Sequence, residues 1–271
     1  LPNMLVARIM RCPVFKGKVA SFNGEKAMAV AGVRHVVQIG SVAAGPSEGF
    51  MSTTRAGSQG VAVVADSYWQ ATQGIKVLEV KWEDGPLGTL TSEEIRRQMA
   101  AATEKAGVVA RNEGDIDKAL AGAAKQFEAV YEAPYLAHAT MEPMNCTADV
   151  RADGCDVWLS TQAQSSAHEA AIKITGLPPD RVKIHTTFVG GGFGRRGEAD
   201  YVAEAVEISK AVGRPVHVIW TREDDVQHDY FRPAAYVRYW AALDQSGMCV
   251  GWKARLVQAS RFARFNPRGL D

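Results

Sequence analysis

The first third of the chain consists of short apolar runs that glycine and proline residues separate. Their length and their content of β-branched residues predict strands. These predicted strands are residues 4–10, 33–39, 61–65 and 77–82. Asp66 and Ser67 have side chains that cap helix N-termini, which predicts a helix over residues 68–74. Residues 1 to about 85 are therefore expected to form a small α+β unit.

A linker and a second, longer segment follow. The sequence EDGPLG at residues 83–88 is typical of a linker because glycine and proline interrupt regular structure. Thr91 and Glu94 have the spacing of a capping box, which predicts a helix to about residue 105. The later predicted elements are helices at 164–175 and 199–212 and strands at 127–133, 145–150, 156–160, 182–189, 216–220, 236–243 and 249–257. The predicted fold class is α+β.

Composition excludes two classes of protein. The 271 residues include 31 Lys and Arg and 30 Asp and Glu, which gives a net charge of +1. Such a balance, without a basic stripe, argues against a nucleic-acid-binding protein. No run of about 18 apolar residues occurs, so the sequence predicts no transmembrane segment.

The four cysteines are Cys12, Cys146, Cys155 and Cys249, and no pair has the spacing of a zinc or iron–sulfur site. Cys146 and Cys155 flank two predicted strands and could face each other as a disulfide. Because four cysteines are too few for a disulfide scaffold, free and mostly buried thiols are the expectation.

Residues 190–194, GGGFG, form the most informative stretch, which we call the glycine loop. It lies between a predicted strand and a predicted helix, and glycine permits backbone conformations and close approaches closed to other residues. Free N–H groups at the following helix, and the guanidiniums of Arg195 and Arg196, would favour an anionic or oxo-rich ligand. The spacing fits neither the dinucleotide fingerprint nor a Walker loop. The alternative is a tight strand-to-helix turn that binds nothing.

Four motifs occur with the glycine loop in a fixed order. They are HATMEPMNCTA at 138–148, WLSTQ at 158–162, RPVHVIWTREDD at 214–225 and HDYFRP at 228–233. Together they resemble the molybdenum-cofactor subunit of the xanthine oxidase family, and in particular its isoquinoline 1-oxidoreductase β-subunit-like branch. The resemblance covers essentially the whole chain.

The resemblance implies a division into two domains. Residues 1–88 are similar to the family's α/β hammerhead domain, with GVRHVV at 32–37 and VAVVADSYW at 61–69. Residues 89–271 are similar to the first part of its molybdopterin-cofactor-binding α+β domain. The family's catalytic Glu lies farther downstream, so the resemblance implies a fragment that contains no catalytic residue.

The resemblance also implies which residues hold the cofactor. These expected cofactor-binding residues are Gln162, Gly191, Gly192, Phe193, Gly194 and Arg195. Gln162 would lie near the apical ligand of molybdenum, where an amide can donate to an oxo group without adding charge. Phe193 could also be a core aromatic that folds the loop inward. The pterin dithiolene supplies the sulfur ligands in this family, so Cys146 is not expected to bind the metal.

The implied cofactor is molybdenum–molybdopterin cytosine dinucleotide, with 2Fe-2S clusters on a small partner subunit. The implied reaction is hydroxylation of a small molecule, an isoquinoline-like N-heterocycle or an aldehyde, with oxygen from water. The 271 residues alone are expected to be inactive, and both the periplasm and the cytoplasm remain open. The alternatives are a non-catalytic anion- or nucleotide-binding module and a partner-docking module.

Three further sites that contain acidic residues have two interpretations each. His138 and Glu142 have the spacing of a metal pair on a helix, but Pro143 argues against a helix and favours a structural role. Glu198 stands one residue out of step with a substrate-positioning Glu of many relatives, and the simpler interpretation is a helix N-terminal carboxylate. The acidic residues 223–225 could bind a cation, although a solvated turn is the favoured interpretation.

Overall fold

The computed structural model describes residues 1–40 and 59–260 of the chain. Two compact units can be distinguished, and each is made of two separate stretches. Unit 1 consists of Leu1–Thr89 and Ala137–Tyr230. Unit 2 consists of Leu90–Leu136 and the described residues from Phe231 onwards.

The strands of unit 1 are β1 Leu5–Arg11, β2 Lys18–Asn23, β3 Val33–Ile39, β4 Gly60–Ala65, β5 Glu79–Glu83, β7 Asn145–Val150, β8 Cys155–Leu159, β9 Val182–Thr186 and β10 Val216–Ile219. Its helices are α1 Glu25–Met28, α2 Tyr68–Val77, α5 Gln164–Thr175, α6 Asp200–Val212 and α7 Arg222–Gln227. Unit 2 contains α3 Ser92–Ala102, α4 Ile116–Ala121, β6 Lys125–Ala133, β11 Ala235–Leu243 and β12 Cys249–Gln258.

A seven-stranded sheet organises unit 1, with the strand order β3-β4-β1-β10-β7-β8-β9. The pairs β1–β10 and β8–β9 are parallel, and the other pairs are antiparallel. The β1–β10 pair places Leu5 opposite Val216 and Ala7 opposite Val218. One sheet therefore takes strands from both sides of the boundary predicted at residue 88. The assignment of residues 1–88 and 89–271 to two family domains stays a prediction.

The sheet is buried on both faces near its centre. Every residue of β4 is buried, and its side chains alternate between two cores. Ala62 and Val64 join the core beneath α5 and α6, whereas Val61 and Val63 join the core beneath α2. This explains why β4 is a continuous apolar run without alternation. Full burial of one such Val contributes about 1.5–3 kcal/mol.

Helix α6 is the element that connects the sheet to the glycine loop. It begins at Asp200 and ends at Gly213, whose φ of 65° is the left-handed conformation of a helix C-cap. In its centre the carboxylate of Glu204 accepts from Nε and Nη2 of Arg11 at 2.9 and 2.6 Å. It also accepts from Nε1 of Trp220 at 2.9 Å. A buried, bidentate ion pair thus joins α6 to β1.

Unit 2 contains a three-stranded antiparallel sheet in the order β12-β11-β6. Helices α3 and α4 pack on β11 and β12, and each begins at a residue whose side chain accepts a backbone N–H. The cap of α3 is Thr91, as the capping-box spacing predicts. The predicted strands at 236–243 and 249–257 are also confirmed, as β11 and β12, which pair in an antiparallel hairpin. Helix α4 is missing from the sequence-based prediction because its six residues are too short to show helical periodicity.

The cysteines confirm the expectation of free, mostly buried thiols. Cys12, Cys146 and Cys155 are buried, Cys249 is exposed, and none forms a disulfide. Burial raises the pKa of Cys155 to about 11, so this thiol stays protonated and unreactive at neutral pH. Among the described helices, none combines the length and the apolar character needed to cross a membrane.

We predict that Glu204→Gln destabilises unit 1 by about 3 kcal/mol, because it removes the bidentate partner of the buried Arg11 and leaves Asp224, at 3.4 Å, as its counter-charge. Native-state hydrogen exchange of the β1 amides in the full-length protein measures this loss. The control is Asp66→Asn, which removes a bidentate but exposed partner of Arg34 and should change exchange little. Equal effects of the two substitutions would contradict the importance of the buried pair.

Candidate functional site

The glycine loop follows β9 and leads through a tight turn, Arg195–Gly197, into α6. Gly191 and Gly194 have φ values of 94° and 103°, which only glycine adopts without strain. Phe193 between them has a φ of 54°, and its side chain is 65% exposed. A bulky residue held in the left-handed region is strained, which is characteristic of functional loops. The inward, core position considered for Phe193 is therefore not observed.

Gln162 holds one side of the glycine loop. The N–H of Gly194 donates to Oε1 of Gln162 at 3.0 Å, and the N–H of Gln162 donates to the carbonyl of Arg196 at 3.0 Å. A Cβ on Gly192 would lie 2.5 Å from the same Oε1, so Gly192 leaves the space that Gln162 occupies. Because a backbone N–H can only donate, this contact fixes the side-chain oxygen towards Gly194. The Nε2 group of Gln162 bonds to no atom of the described residues and is left to donate elsewhere.

Two consecutive backbone amides of the glycine loop are also unused. Within residues 1–40 and 59–260, the N–H groups of Gly191 and Gly192 donate to no acceptor. Their carbonyls, in contrast, accept from Nε of Arg196 and from the N–H of Arg195, each at 2.8 Å. The carbonyl groups thus hold the loop in place, and the amide hydrogens remain for a ligand.

Arg196 lies beneath the loop and is completely buried. Its Nη2 donates to the carboxylate of Glu142 at 2.9 Å and to the carbonyl of Glu142 at 2.7 Å. The same carboxylate accepts from the N–H of Gly190 at 3.0 Å. Although partial burial opposes the charge, the Asn145 hydrogen bond and the Arg196 charge lower the pKa of Glu142. Glu142 therefore anchors the loop in its ionised form, which is the structural role favoured over a metal pair.

Arg195 is also buried, with 1% of its side chain exposed. It donates to both oxygens of Asp200 at 2.9 and 2.7 Å, and its Nε lies 3.0 Å from Oδ1 of Asp229. The contact with Asp229 is an ion pair without good hydrogen-bond geometry. Although burial opposes the charge, the nearby carboxylates of Asp200 and Asp229 raise the pKa of Arg195.

The structure thus differs from the expectation that Arg195 and Arg196 present their donors to an anionic ligand. Both guanidiniums are turned into the protein, where the carboxylates of Glu142, Asp200 and Asp229 pair with them. Helix α6 begins at Asp200, close to the predicted start at residue 199, so residues 195–199 separate its N-terminus from the loop. The donors left around the loop are backbone amides and a side-chain amide.

Asp229 connects the ion pair of Arg195 to His138. Nδ1 of His138 lies 2.9 and 3.1 Å from the two Asp229 oxygens, and the N–H of His138 also donates to this carboxylate. Burial opposes ionisation, but the contacts with His138 and the charge of Arg195 lower the pKa of Asp229. Sequence reasoning missed Asp229 and the anchoring role of Glu142. The available signal was two adjacent arginines in a predicted turn between apolar elements, which need carboxylate partners if buried.

The acidic residues 223–225 are not a solvated turn, and that expectation is wrong. Thr221 and Asp224 form the capping box of α7, and Asp224 also lies 3.4 Å from both Arg8 and Arg11. Asp225 is buried and pairs with Arg222. Glu198 is buried as well and has partners of its own. In the described part of the chain, no group of three or more His, Cys, Asp or Glu residues could hold a metal ion.

Comparison with known proteins identifies this arrangement. A family model described as "Molybdopterin cofactor-binding domain" matches residues 100–261. The chain is 28% identical over 285 residues to isoquinoline 1-oxidoreductase subunit beta of Brevundimonas diminuta, covering 99% of this chain and 33% of that protein. It is 27% identical over 259 residues to the aldehyde oxidoreductase molybdenum-binding subunit PaoC of Escherichia coli O157:H7, covering 91% and 34%.

Solved structures agree at the level of the fold. Aldehyde oxidoreductase from Desulfovibrio gigas superimposes with a TM-score of 0.70 at 18% identity, over 95% of this chain and 31% of that chain. The same mixed architecture of helices and sheets occurs in these solved structures, so the predicted α+β fold class is confirmed. The chain spans about a third of the length of these relatives.

We predict that the protein loses stability as the pH falls from about 6.5 to 4, because of His228. Burial, and then the charge of Arg11, lower the pKa of His228 to about 4, whereas an unfolded His titrates near ~6.5. In this range the unfolded chain binds the proton and the native chain does not, which costs up to about 3 kcal/mol by pH 4. The loss is absent above pH ~6.5.

The thermal midpoint of the full-length protein, measured at pH 7 and pH 5, tests this account. His228→Gln should reduce the difference between the two midpoints, because the substituted side chain does not titrate. The pKa values of Glu142 and Asp229 are lowered, so their share of the acid sensitivity appears mainly below pH ~5, where the unfolded carboxyls become protonated. An unchanged difference in the variant would contradict the assignment.

Proposed function

The chain belongs to the molybdopterin cofactor-binding family of xanthine oxidase-like subunits, and from that premise we propose that the glycine loop and Gln162 form part of the cradle for a molybdenum cofactor. The observation that carries the proposal is the pair of unused amides at Gly191 and Gly192 beside an amide side chain fixed by Gly194. This set consists of hydrogen-bond donors only, which suits an oxygen-rich, anionic group.

The chemistry of these donors fits the cofactor. The backbone amides of Gly191 and Gly192 and the side-chain amide of Gln162 carry no formal charge. They can therefore stabilise oxygens of the cofactor without competing with its metal for anionic ligands. Gly191 and Gly194 lack the Cβ that would separate a ligand from the backbone. The carboxylate of Glu142, which contacts the loop, is engaged by Arg196 and by the N–H of Gly190.

Each residue of the cradle has a distinct role in the proposal. When bound, the molybdenum cofactor, in its cytosine dinucleotide form, supplies the redox chemistry. Gln162 donates from Nε2 while Gly194 holds its oxygen, and Gly191 and Gly192 donate from the backbone. Phe193 covers the group and excludes water. Arg195, expected to contact the cofactor, acts instead on Asp200 and Asp229 and orients the loop from below.

The full-length protein is proposed to be a hydroxylating oxidoreductase. Its relatives are named for isoquinoline and for aldehydes, which supports an N-heterocycle or an aldehyde as substrate and water as the source of oxygen. Two relatives are named as one subunit of a larger enzyme, which supports the presence of a partner subunit. We propose that this partner is a small subunit with 2Fe-2S clusters that accepts the electrons. The catalytic base is proposed to lie outside these 271 residues, which alone would be inactive.

The domain assignment completes the proposal. Residues 1–88 correspond to the hammerhead domain, and residues 89–271 correspond to the first part of the cofactor-binding domain. The family model, which begins at residue 100, supports the second of these assignments.

Elemental and pterin analysis of the full-length protein, purified with its partner subunit, tests the function. We expect about one molybdenum and one pterin per large subunit. A well-folded protein without molybdenum would contradict the proposal, and a copurified nucleotide without pterin would favour the anion- or nucleotide-binding module.

We predict that Gly192→Ala lowers the molybdenum content at least about tenfold, because the new Cβ displaces Gln162 and breaks its bond with Gly194. The matched control is Gly107→Ala, where a Cβ meets nothing within 4 Å and the molybdenum content should not change. Full loading of the Gly192 variant would exclude Gln162 and the loop from the cradle.

We predict that Gln162→Glu weakens cofactor retention more than Gln162→Ala does. The carboxylate can still accept from Gly194, but it cannot donate to the cofactor and adds a negative charge. The expected difference is about 1–3 kcal/mol, measured as the rate of pterin release during dialysis of the loaded protein. A Glu variant that retains the cofactor as well as the wild type would show that Nε2 makes no contact.

A further inference from the structure

His138 has one ring nitrogen engaged and one unengaged. Asp229 is acceptor-only when ionised, so Nδ1 of His138, at 2.9 and 3.1 Å from its oxygens, carries a hydrogen. The side chain of His138 is 11% exposed and that of Asp229 is 1% exposed. Nε2 contacts no polar atom of the described residues. A buried carboxylate thus fixes the orientation of the imidazole and leaves Nε2 available.

Nε2 of His138 faces the glycine loop. It lies 3.8 Å from the position that a Cβ on Gly194 would occupy, and apart from Gly194 and its two chain neighbours no other described residue has an atom within 4 Å of that position. Gly194 has a φ of 103° and offers no side chain to cover the ring. The imidazole therefore lies beside the loop that presents the amides of Gly191 and Gly192.

We propose that His138 is a further cofactor-binding residue, whose Nε2 forms a hydrogen bond with the cofactor on the Gly194 side of the glycine loop. This inference rests on the proposed function. It adds an imidazole to a cradle that otherwise consists of amides. Asp229 and Arg195 are positioning residues that act through His138.

The proposal differs in its consequences from a purely structural pair of His138 and Asp229. In His138→Asn, the side-chain amide can donate to Asp229 in place of Nδ1, but it cannot reach the position of Nε2. In His138→Gln, the longer side chain can place an amide near the position of Nε2. A purely structural role needs only the contact with Asp229, whereas cofactor binding needs the contact from the Nε2 position.

The experiment uses the full-length protein loaded with its cofactor and measures the rate of pterin release from wild type, His138→Asn and His138→Gln. We expect release from the Asn variant to be roughly tenfold faster, which corresponds to the loss of one hydrogen bond, and an intermediate rate from the Gln variant.

The control is His185→Asn, which alters another His–Asp pair, with Nε2 of His185 at 2.7 Å from Asp156, outside the glycine loop. It should release the cofactor at the wild-type rate. Hydrogen exchange of residues 190–197 in the unloaded proteins establishes that the His138 variants keep the fold of the loop.

Release rates from both His138 variants that equal the wild-type rate would overturn the inference and leave the proposed function standing. Faster release from His138→Gln than from His138→Asn would also overturn it, because the contact with Asp229 would then be the one that matters. A well-folded wild type that contains no pterin would overturn the proposed function and the inference together.

Discussion

The shape of the glycine loop depends on two adjacent arginines that are buried beneath it. A buried guanidinium is tolerated only if carboxylates and carbonyls satisfy it. Arg196 meets this requirement through Glu142, and Arg195 meets it through Asp200 and Asp229. Because these acids come from different parts of the chain, the three ion pairs connect the loop to the segment before β7, to α6 and to the segment after α7. The loop can then hold Phe193 in a strained conformation without relaxing.

In this arrangement, the residues that hold the loop in place are different from the groups that face a ligand. The arginine charges are neutralised inside the protein, and what faces outward is a small set of fixed donors on the backbone and on Gln162. Donors that are already oriented stabilise a ligand without reorganising when it binds. The seven-stranded sheet contributes by holding the end of β9 and the start of α6, from which the loop departs.

The sequence predicted the parts of the structure that local patterns determine. Helix α5, the hairpin of β11 and β12 and the position of the glycine loop all follow from periodicity and from turn residues. The parallel pairing of β1 with β10 could not be predicted, because it joins segments some two hundred residues apart. Arg195 was expected to face a ligand for a related reason. Its partner Asp229 is distant in the sequence, and no local pattern shows that a charge will be buried.

Hydrogen exchange of the glycine loop, measured on the full-length protein with and without its cofactor, tests the central claim most directly. The account predicts that the amides of Gly190 and Gly194, which bond to Glu142 and Gln162, are protected in both states. The amides of Gly191 and Gly192 should exchange fast without the cofactor and become protected when it is bound. Unchanged fast exchange at these two amides in the loaded protein would contradict the claim that the loop holds the cofactor.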